Sequence, residues 1–154
     1  RLRGPLRALR RQAAQQSIAD NTTDSTQEAA LRGRRVAQQT VKLYFDYVLE
    51  HRDSVVIAGR ELHGPSELLR AELREQMNGF AEDMAADIQE LGLAPSSISA
   101  ARINQIAALL SRNLFHLSLD FIAEPERRDN ILELAHEQII MLFAGASVLQ
   151  DIAG

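Results

Sequence analysis

Residues 99–152, SAARINQIAALLSRNLFHLSLDFIAEPERRDNILELAHEQIIMLFAGASVLQDI, form the stretch that decides the fold. Glu124-Pro125 interrupts it, and on either side apolar residues recur at alternating steps of three and four, the spacing of one face of an α-helix. The stretch therefore predicts two helices joined by a short turn into an antiparallel hairpin, with Ser99 as the first N-terminal cap. The two apolar lines are Ala107, Leu110, Leu114, Leu117 and Phe121, then Leu132, Ala135, Ile139, Leu142, Ala146 and Leu149.

Each helix of the hairpin carries a second apolar line, formed by Phe115, Leu119 and Ile122 in the first helix and by Ile131, Leu134, Met141, Val148 and Ile152 in the second. A helix on the outside of a monomer needs one apolar stripe, so these helices are expected to have neighbours on two sides. Two such hairpins related by a twofold axis make a four-helix bundle. The alternative is that the extra line belongs to the core of one chain. The predicted homodimer interface is Leu110, Leu114, Leu117, Phe121, Leu132, His136, Ile139 and Phe143.

The rest of the chain also has helical periodicity, and no alternating β-branched run predicts a strand. Pro65 suits the first turn of a helix, and Gly92 followed by Pro95 ends that helix. The segment near Val55 is interpreted as a short buried helix, and residues 20–26 as a loop. We expect an all-α bundle of about six helices, near residues 2–17, 27–52, 55–63, 65–91, 99–123 and 125–152.

The chain has 154 residues, of which 45% are hydrophobic, and no cysteine, which excludes disulfide scaffolds and thiolate metal sites. Its net charge of −4 hides a basic start with no acid among the first eleven residues. This asymmetry indicates a polyanion near the N-terminal end; the alternative is a solvated helix face. The chain is accordingly divided into a basic connecting helix, residues 1–18, and a helical domain, residues 19–154. The basic residues are Arg1, Arg3, Arg7, Arg10 and Arg11.

Residues that could support catalysis or bind a metal are sparse. Glu133 and His136 form one Glu-x-x-His motif, whereas ferritin-like di-metal proteins use two such motifs with further glutamates. No nucleophile elbow, phosphate loop or dinucleotide fingerprint is present. We therefore expect no enzyme activity, no metal and no cofactor. The longest apolar run, residues 139–144, is too short to cross a membrane, so a cytoplasmic protein without membrane contact is expected.

A small-molecule site is predicted from two groups of residues. Arg60, next to Glu61 and His63, is a candidate for holding an anionic head group, with a surface ion pair as the alternative. Methionine and aromatic side chains from three helices are candidates to wall an elongated apolar cavity, although such residues also form ordinary cores. The predicted ligand-binding residues are Tyr44, Phe45, Arg60, His63, Met77, Phe80, Met84 and Phe115.

The order of these helices resembles the C-terminal domain of TetR-family transcriptional regulators, and most closely the branch that represses unsaturated fatty-acid synthesis and desaturase genes. The resemblance covers about two thirds of the chain and rests on diffuse helical patterns. They are Phe45-Asp46-Tyr47-Val48, Gly59-Arg60-Glu61-Leu62-His63-Gly64, Leu68-Leu69-Arg70-Ala71-Glu72-Leu73-Arg74-Glu75, and the hairpin after Ser99.

The resemblance implies a homodimer through the last two helices and a fatty acyl-CoA or related apolar effector between the middle helices. It also implies that the basic first helix leads to a DNA-binding head. The chain departs from the family because it contains no helix-turn-helix, so DNA binding is expected from a segment ahead of Arg1. The expected function is thus the effector and dimerisation domain of a repressor. The alternatives are a helical dimeric scaffold without an effector and a ferritin-like di-metal protein.

Overall fold

The structure, a computed structural model, describes residues 4, 7, 8, 11, 12 and 26–153, with side chains described from residue 33 to residue 152 in the second range. The described residues contain α-helices, one 3-10 turn and no strand, so the all-α prediction is confirmed. The five residues described near the N-terminus are helical. The loop predicted at 20–26 lies outside the described residues except for Thr26, which is helical instead. The helices are α1 (Thr26–Glu50), α2 (Arg52–Leu62), α3 (Glu67–Glu90), α4 (Ala100–Ala123) and α5 (Arg128–Ala153).

Local signals in the sequence set several helix boundaries. The Ser99 hydroxyl accepts a hydrogen bond from the Arg102 N–H at 3.2 Å, which confirms the predicted cap of α4. Gly92 has φ +62°, the left-handed conformation that glycine adopts without a Cβ clash, directly after α3. The prediction for Pro65 was wrong by two residues, because Ser66 caps α3 and Glu67 begins it.

Helix α2 also differs from its prediction. It begins at Arg52, three residues earlier than expected, and only Val55 of its residues is buried. The prediction of a short helix was therefore right, but the prediction that this helix is buried was wrong. The helix is amphipathic, and one narrow face is enough to attach it to its neighbours.

Helices α4 and α5 form the expected antiparallel hairpin. Three hydrogen bonds between them show this, because the residue number on α5 falls as the number on α4 rises. The pairs are Ser99 N–H with the Gln150 side-chain oxygen at 3.3 Å, Asn113 with Gln138, and the Phe121 carbonyl with Arg128 Nε at 2.8 Å. The Arg128 guanidinium also lies 5.3 Å from the centre of the Phe121 ring, a cation–π contact.

Helix α4 lies at the centre of the bundle and packs against α1, α2, α3 and α5. Its apolar residues contribute to two core clusters, one with α3 and the end of α5, and one with α1 and the start of α5. In the second cluster Phe45 is completely buried, with its ring centre 4.7 Å from that of Phe121. The core thus depends on the broad apolar surface of α4.

The N-terminal arginines attach to α3 through acidic residues. Arg7 donates to the Asp87 carboxylate at 3.0 Å and lies 3.6 Å from Asp83, while Arg11 lies 2.9 Å from Glu90 and 3.7 Å from Asp87. Asp87 is fully buried, and burying a charged carboxylate is costly unless it is paired. The hydrogen bond and negative charge of Asp87 raise the pKa of Arg7.

The polyanion expected near the basic start therefore has a counterpart within the chain itself. The four-residue spacing of Arg7 and Arg11 matches that of Asp83 and Asp87, so both pairs lie on facing helical surfaces. Arg1, Arg3 and Arg10 lie outside the described residues.

This ion-pair cluster predicts that Asp87→Asn loosens the N-terminal segment. Replacing the buried charge with an amide weakens the attraction to both arginines. We expect hydrogen–deuterium exchange at the amides of Ala8, Arg11 and Gln12 to become about tenfold faster. Glu82→Gln, at an exposed acid on the same helix, is the control. Unchanged exchange in Asp87→Asn would contradict this role for the cluster.

Candidate functional site

An elongated cavity of about 490 Å³ lies between α1 and α3. Residues from Gly33 to Val48 line it on α1, and residues from Leu73 to Ile88 line it on α3. At 1.5 Å per residue, both helices give a length of roughly 22 Å. The described Cα atoms of these two helices stay more than 8 Å apart, so the cavity occupies the space between them. This volume is within the usual range of small-molecule sites.

The floor of the cavity is formed by the hairpin. Leu110 and Leu114 of α4 and Ile139 and Phe143 of α5 contribute apolar side chains there. One end is closed by a face of α2 on which Val55, Ala58 and Leu62 follow helical spacing. The opposite end lies between Gly33-Arg34 and the loop of residues 92–95. At this end the position of a Gly33 Cβ would lie 3.3 Å from the Leu93 carbonyl oxygen, so helix and loop are close together.

Two hydroxyl-bearing residues of α4 have different environments beside the cavity. Ser118 donates to the Leu114 carbonyl at 2.7 Å and lies 2.9 Å from the Tyr44 hydroxyl, which joins α4 to α1. Burial raises the pKa of Tyr44 to about 12, so its phenol stays protonated at physiological pH. Ser111 lines the cavity. Its hydroxyl is buried and has no hydrogen-bond partner among the described residues.

The cavity brings together five of the eight residues predicted to bind a ligand. Phe45 is instead buried in the core with Phe121, on the side of α1 that faces α4 and α5. Arg60 and His63 are exposed and lie outside the lining. Arg60 follows Ala58 by two residues, or roughly 200° around the helix, so it points away from the cavity. The five that line the cavity are Tyr44, Met77, Phe80, Met84 and Phe115.

Sequence reasoning missed two features: the charged residue at the cavity wall, and the ion pairs that Asp83 and Asp87 of α3 make with the N-terminal arginines. Arg34 lines the cavity end, but its sequence context, Arg32-Gly33-Arg34-Arg35, does not separate it from its neighbours. A signal was present in the sequence, because Asp83 and Asp87 lie four residues apart on a face beside the apolar stripe of Met84 and Ile88. Matching them to the four-residue spacing of Arg7 and Arg11 would have predicted the contact.

The hairpin presents a second candidate surface, an exposed apolar stripe on α5. It consists of Leu134, Met141, Val148 and Ile152, whose exposed fractions are 37%, 59%, 58% and 78%. Steps of seven, seven and four place them on one side of the helix. This is the second apolar line of α5 without Ile131, which is buried.

The residues predicted for the dimer interface lie elsewhere. All eight are buried or half-buried within the single chain, because the line that carries them faces the other helices. Leu110, Leu114 and Phe121 belong to the core, and Phe143 lines the cavity. The predicted interface stays a prediction, and the exposed apolar residues of α5 lie mainly on the other stripe. The remaining residues of the eight are Leu117, Leu132, His136 and Ile139.

Two further features of the described residues concern metal binding and membrane spans. No three His, Asp or Glu side chains there lie close enough together to hold a metal ion. Two segments, Ala100–Ala123 and Pro125–Ile152, are long and apolar enough to span a membrane by length and composition, with mean hydropathy 1.3 and 1.4. Core helices of water-soluble proteins pass the same test, and α4 contributes seven buried residues to this core. Comparison with known proteins found no matching family model, curated protein or solved structure.

The buried Tyr44 predicts a loss of stability at high pH. Its pKa is about 12 in the folded chain and about 10 when unfolded. The unfolded chain therefore loses its proton first. This contribution to stability is present below pH 10, and up to about 3 kcal/mol is lost as the pH rises through 12. Urea unfolding between pH 9 and pH 12 measures it.

Tyr44→Phe should remove this part of the pH dependence and lower stability at pH 7 by about 1 kcal/mol, through loss of the Ser118 hydrogen bond. Tyr47→Phe is the matched control, because Tyr47 is the other tyrosine of the chain and should leave the Tyr44 contribution in place. Identical pH profiles for wild type and Tyr44→Phe would contradict the prediction.

Proposed function

We propose that this chain is the effector-binding and dimerisation domain of a TetR-like transcriptional repressor. The observation that carries the proposal is the elongated apolar cavity between α1 and α3, whose length suits a fatty acyl compound such as an acyl-CoA or another elongated apolar ligand. A scaffold with a dry core would have no use for such a cavity. In the proposal, DNA binding belongs to a helix-turn-helix that precedes the basic first helix, as the family resemblance implies.

Helix α3 supplies a physical route from ligand to DNA-binding head. Met84 and Ile88 line the cavity, while Asp83 and Asp87 on the same turns bind Arg7 and Arg11. A ligand that moves α3 by a fraction of its diameter must also move the carboxylates that hold the N-terminal arginines. Differential affinity for two positions of α3 is then sufficient to couple the two events.

The proposed partner for the exposed α5 stripe is a second copy of the chain. The seven-residue spacing is that of a helix–helix seam, and Gly145 next to Met141 and Val148 allows close approach. The charges are complementary: α5 carries Asp129, Glu133, Glu137 and Asp151 with Arg128 as its one base, whereas α4 carries Arg102 and Arg112 with Asp120 as its one acid. An α4 of one copy against the α5 of the other therefore brings opposite charges together.

Ligand binding is tested by thermal unfolding with straight-chain acyl-CoAs and fatty acids of eight to eighteen carbons. At one hundred times the dissociation constant, a ligand should add about 2.7 kcal/mol to the free energy of unfolding. We expect the effect to increase with chain length, because a longer chain buries more apolar surface in the cavity. Ala37→Leu, which fills part of the cavity, should reduce it, whereas Ala108→Leu, on the exposed side of α4, should not.

The regulatory part of the proposal requires that ligand also changes amide exchange at Ala8, Arg11 and Gln12, and that Asp87→Asn removes this response. No stabilisation by any chain length would favour the scaffold alternative. Stabilisation without a change at these amides would indicate a carrier of apolar molecules and contradict the regulator.

The dimer is tested by light scattering of wild type and of Met141→Glu/Val148→Glu. We expect wild type at micromolar concentration to have twice the mass of one chain, and the double variant to be a folded monomer, because two buried charges cannot be paired in the seam. Leu68→Glu, at an exposed leucine on α3, is the control and should stay dimeric. A monomeric wild type, or one that binds phosphatidylglycerol vesicles through this stripe, would contradict the assignment.

A further inference from the structure

The described part of the cavity wall carries one charged side chain. Among the described lining residues there is no aspartate, glutamate, lysine or histidine, and Arg34 is the single arginine. The other polar groups of the wall are neutral, including the Tyr44 phenol with its raised pKa. The electrostatic character of the site is therefore set at the position of Arg34.

Arg34 lies at one end of the cavity and is exposed to solvent. It sits beside Gly33, which faces the loop of residues 92–95, whereas the opposite end, about 22 Å away along α1, is walled by Ala58, Leu62 and Leu73. Arg34 makes no ion pair with the described residues, so its guanidinium is available to a ligand. A charge at one end of the cavity and an apolar wall at the other define the orientation of an amphiphilic ligand.

We propose that the cavity binds a straight-chain, singly charged anionic amphiphile, a free long-chain carboxylate, with its head group at Arg34 and its tail towards α2. A guanidinium matches the planar carboxylate with two parallel hydrogen bonds. Alkyl carbons fill the apolar length of the cavity without leaving a buried charge unpaired. A cationic head group finds no acid on the described wall. This inference rests on the proposed ligand-binding function and specifies its ligand class.

The test compares three sixteen-carbon probes that differ only in the head group: hexadecanoate, hexadecanol and hexadecyltrimethylammonium. Affinities are measured by displacement of a fluorescent apolar dye, below the critical micelle concentration of each probe. Wild type should bind hexadecanoate about fivefold more tightly than hexadecanol, as expected for a solvent-accessible ion pair. It should bind the ammonium compound most weakly.

Arg34→Gln should bring hexadecanoate to the affinity of hexadecanol and leave hexadecanol unchanged. Arg74→Gln is the matched control, because Arg74 is an exposed arginine beside Leu73 at the opposite end and does not line the cavity. Loss of the hexadecanoate preference in both variants would show a general charge effect and overturn the assignment to Arg34.

The tail direction is tested with Ala58→Phe, which fills the α2 end of the cavity. It should weaken hexadecanoate about tenfold more than decanoate, because the shorter tail stops before the obstruction. Equal weakening of the two acids would reverse the orientation.

The outcomes separate this inference from the function beneath it. If all three head groups bind equally, the ligand-binding proposal stands and the carboxylate assignment falls. If none of the probes binds, the ligand-binding function itself falls and the inference with it.

Discussion

The architecture depends on the burial of the apolar side of one helix, α4. Helix α4 has apolar residues on most of its surface, and it packs against each of the other four described helices. Burying such a surface is the dominant favourable contribution to folding. Because α1 and α3 both pack against α4, they lie side by side without packing against each other. The space between them is the cavity, so the same burial that stabilises the bundle also leaves this cavity open.

Polar interactions fix the positions of the packed helices along one another. The bonds from Ser99, Asn113 and Arg128 fix how far α5 slides along α4, and the Tyr44–Ser118 pair fixes α1 against the same helix. The bonds of Asn113, Arg128 and Tyr44 satisfy partly buried polar groups, which would be costly to leave unpaired, whereas the Ser99 bond is exposed. The cavity walls on α1, α4 and α5 are thereby fixed relative to one another. No side-chain hydrogen bond joins the described residues of α3 to those of α4, and α3 is held by Arg7 and Arg11.

This arrangement gives α3 two roles on adjacent faces. Its apolar residues line the cavity. The carboxylates that bind Arg7 and Arg11 belong to the residues directly before two of these lining residues in the sequence. Asp87 is buried, whereas Arg7 and Arg11 are partly exposed, so solvent screens their attraction only in part. A displacement of α3 therefore changes the free energy of this contact. The proposed coupling needs no long chain of intermediates, because both contacts belong to the same turns of one helix.

Periodicity in the sequence determined the all-α class, the hairpin and the caps at Ser99 and Gly92, since these depend on local spacing and backbone preference. It also indicated that α5 has two apolar faces. Only the tertiary structure decided which face is which: the line with Leu132 and Ile139 is covered by the chain itself, and the line with Met141 and Val148 is not. The same holds for the cavity. Tyr44, Phe80 and Met84 were recognisable by residue type, but the inward turn of Phe45, the outward turn of Arg60 and the placement of Arg34 depend on how each helix is rotated against its neighbours. That rotation is set by the packing of all five helices together, and no local pattern contains it.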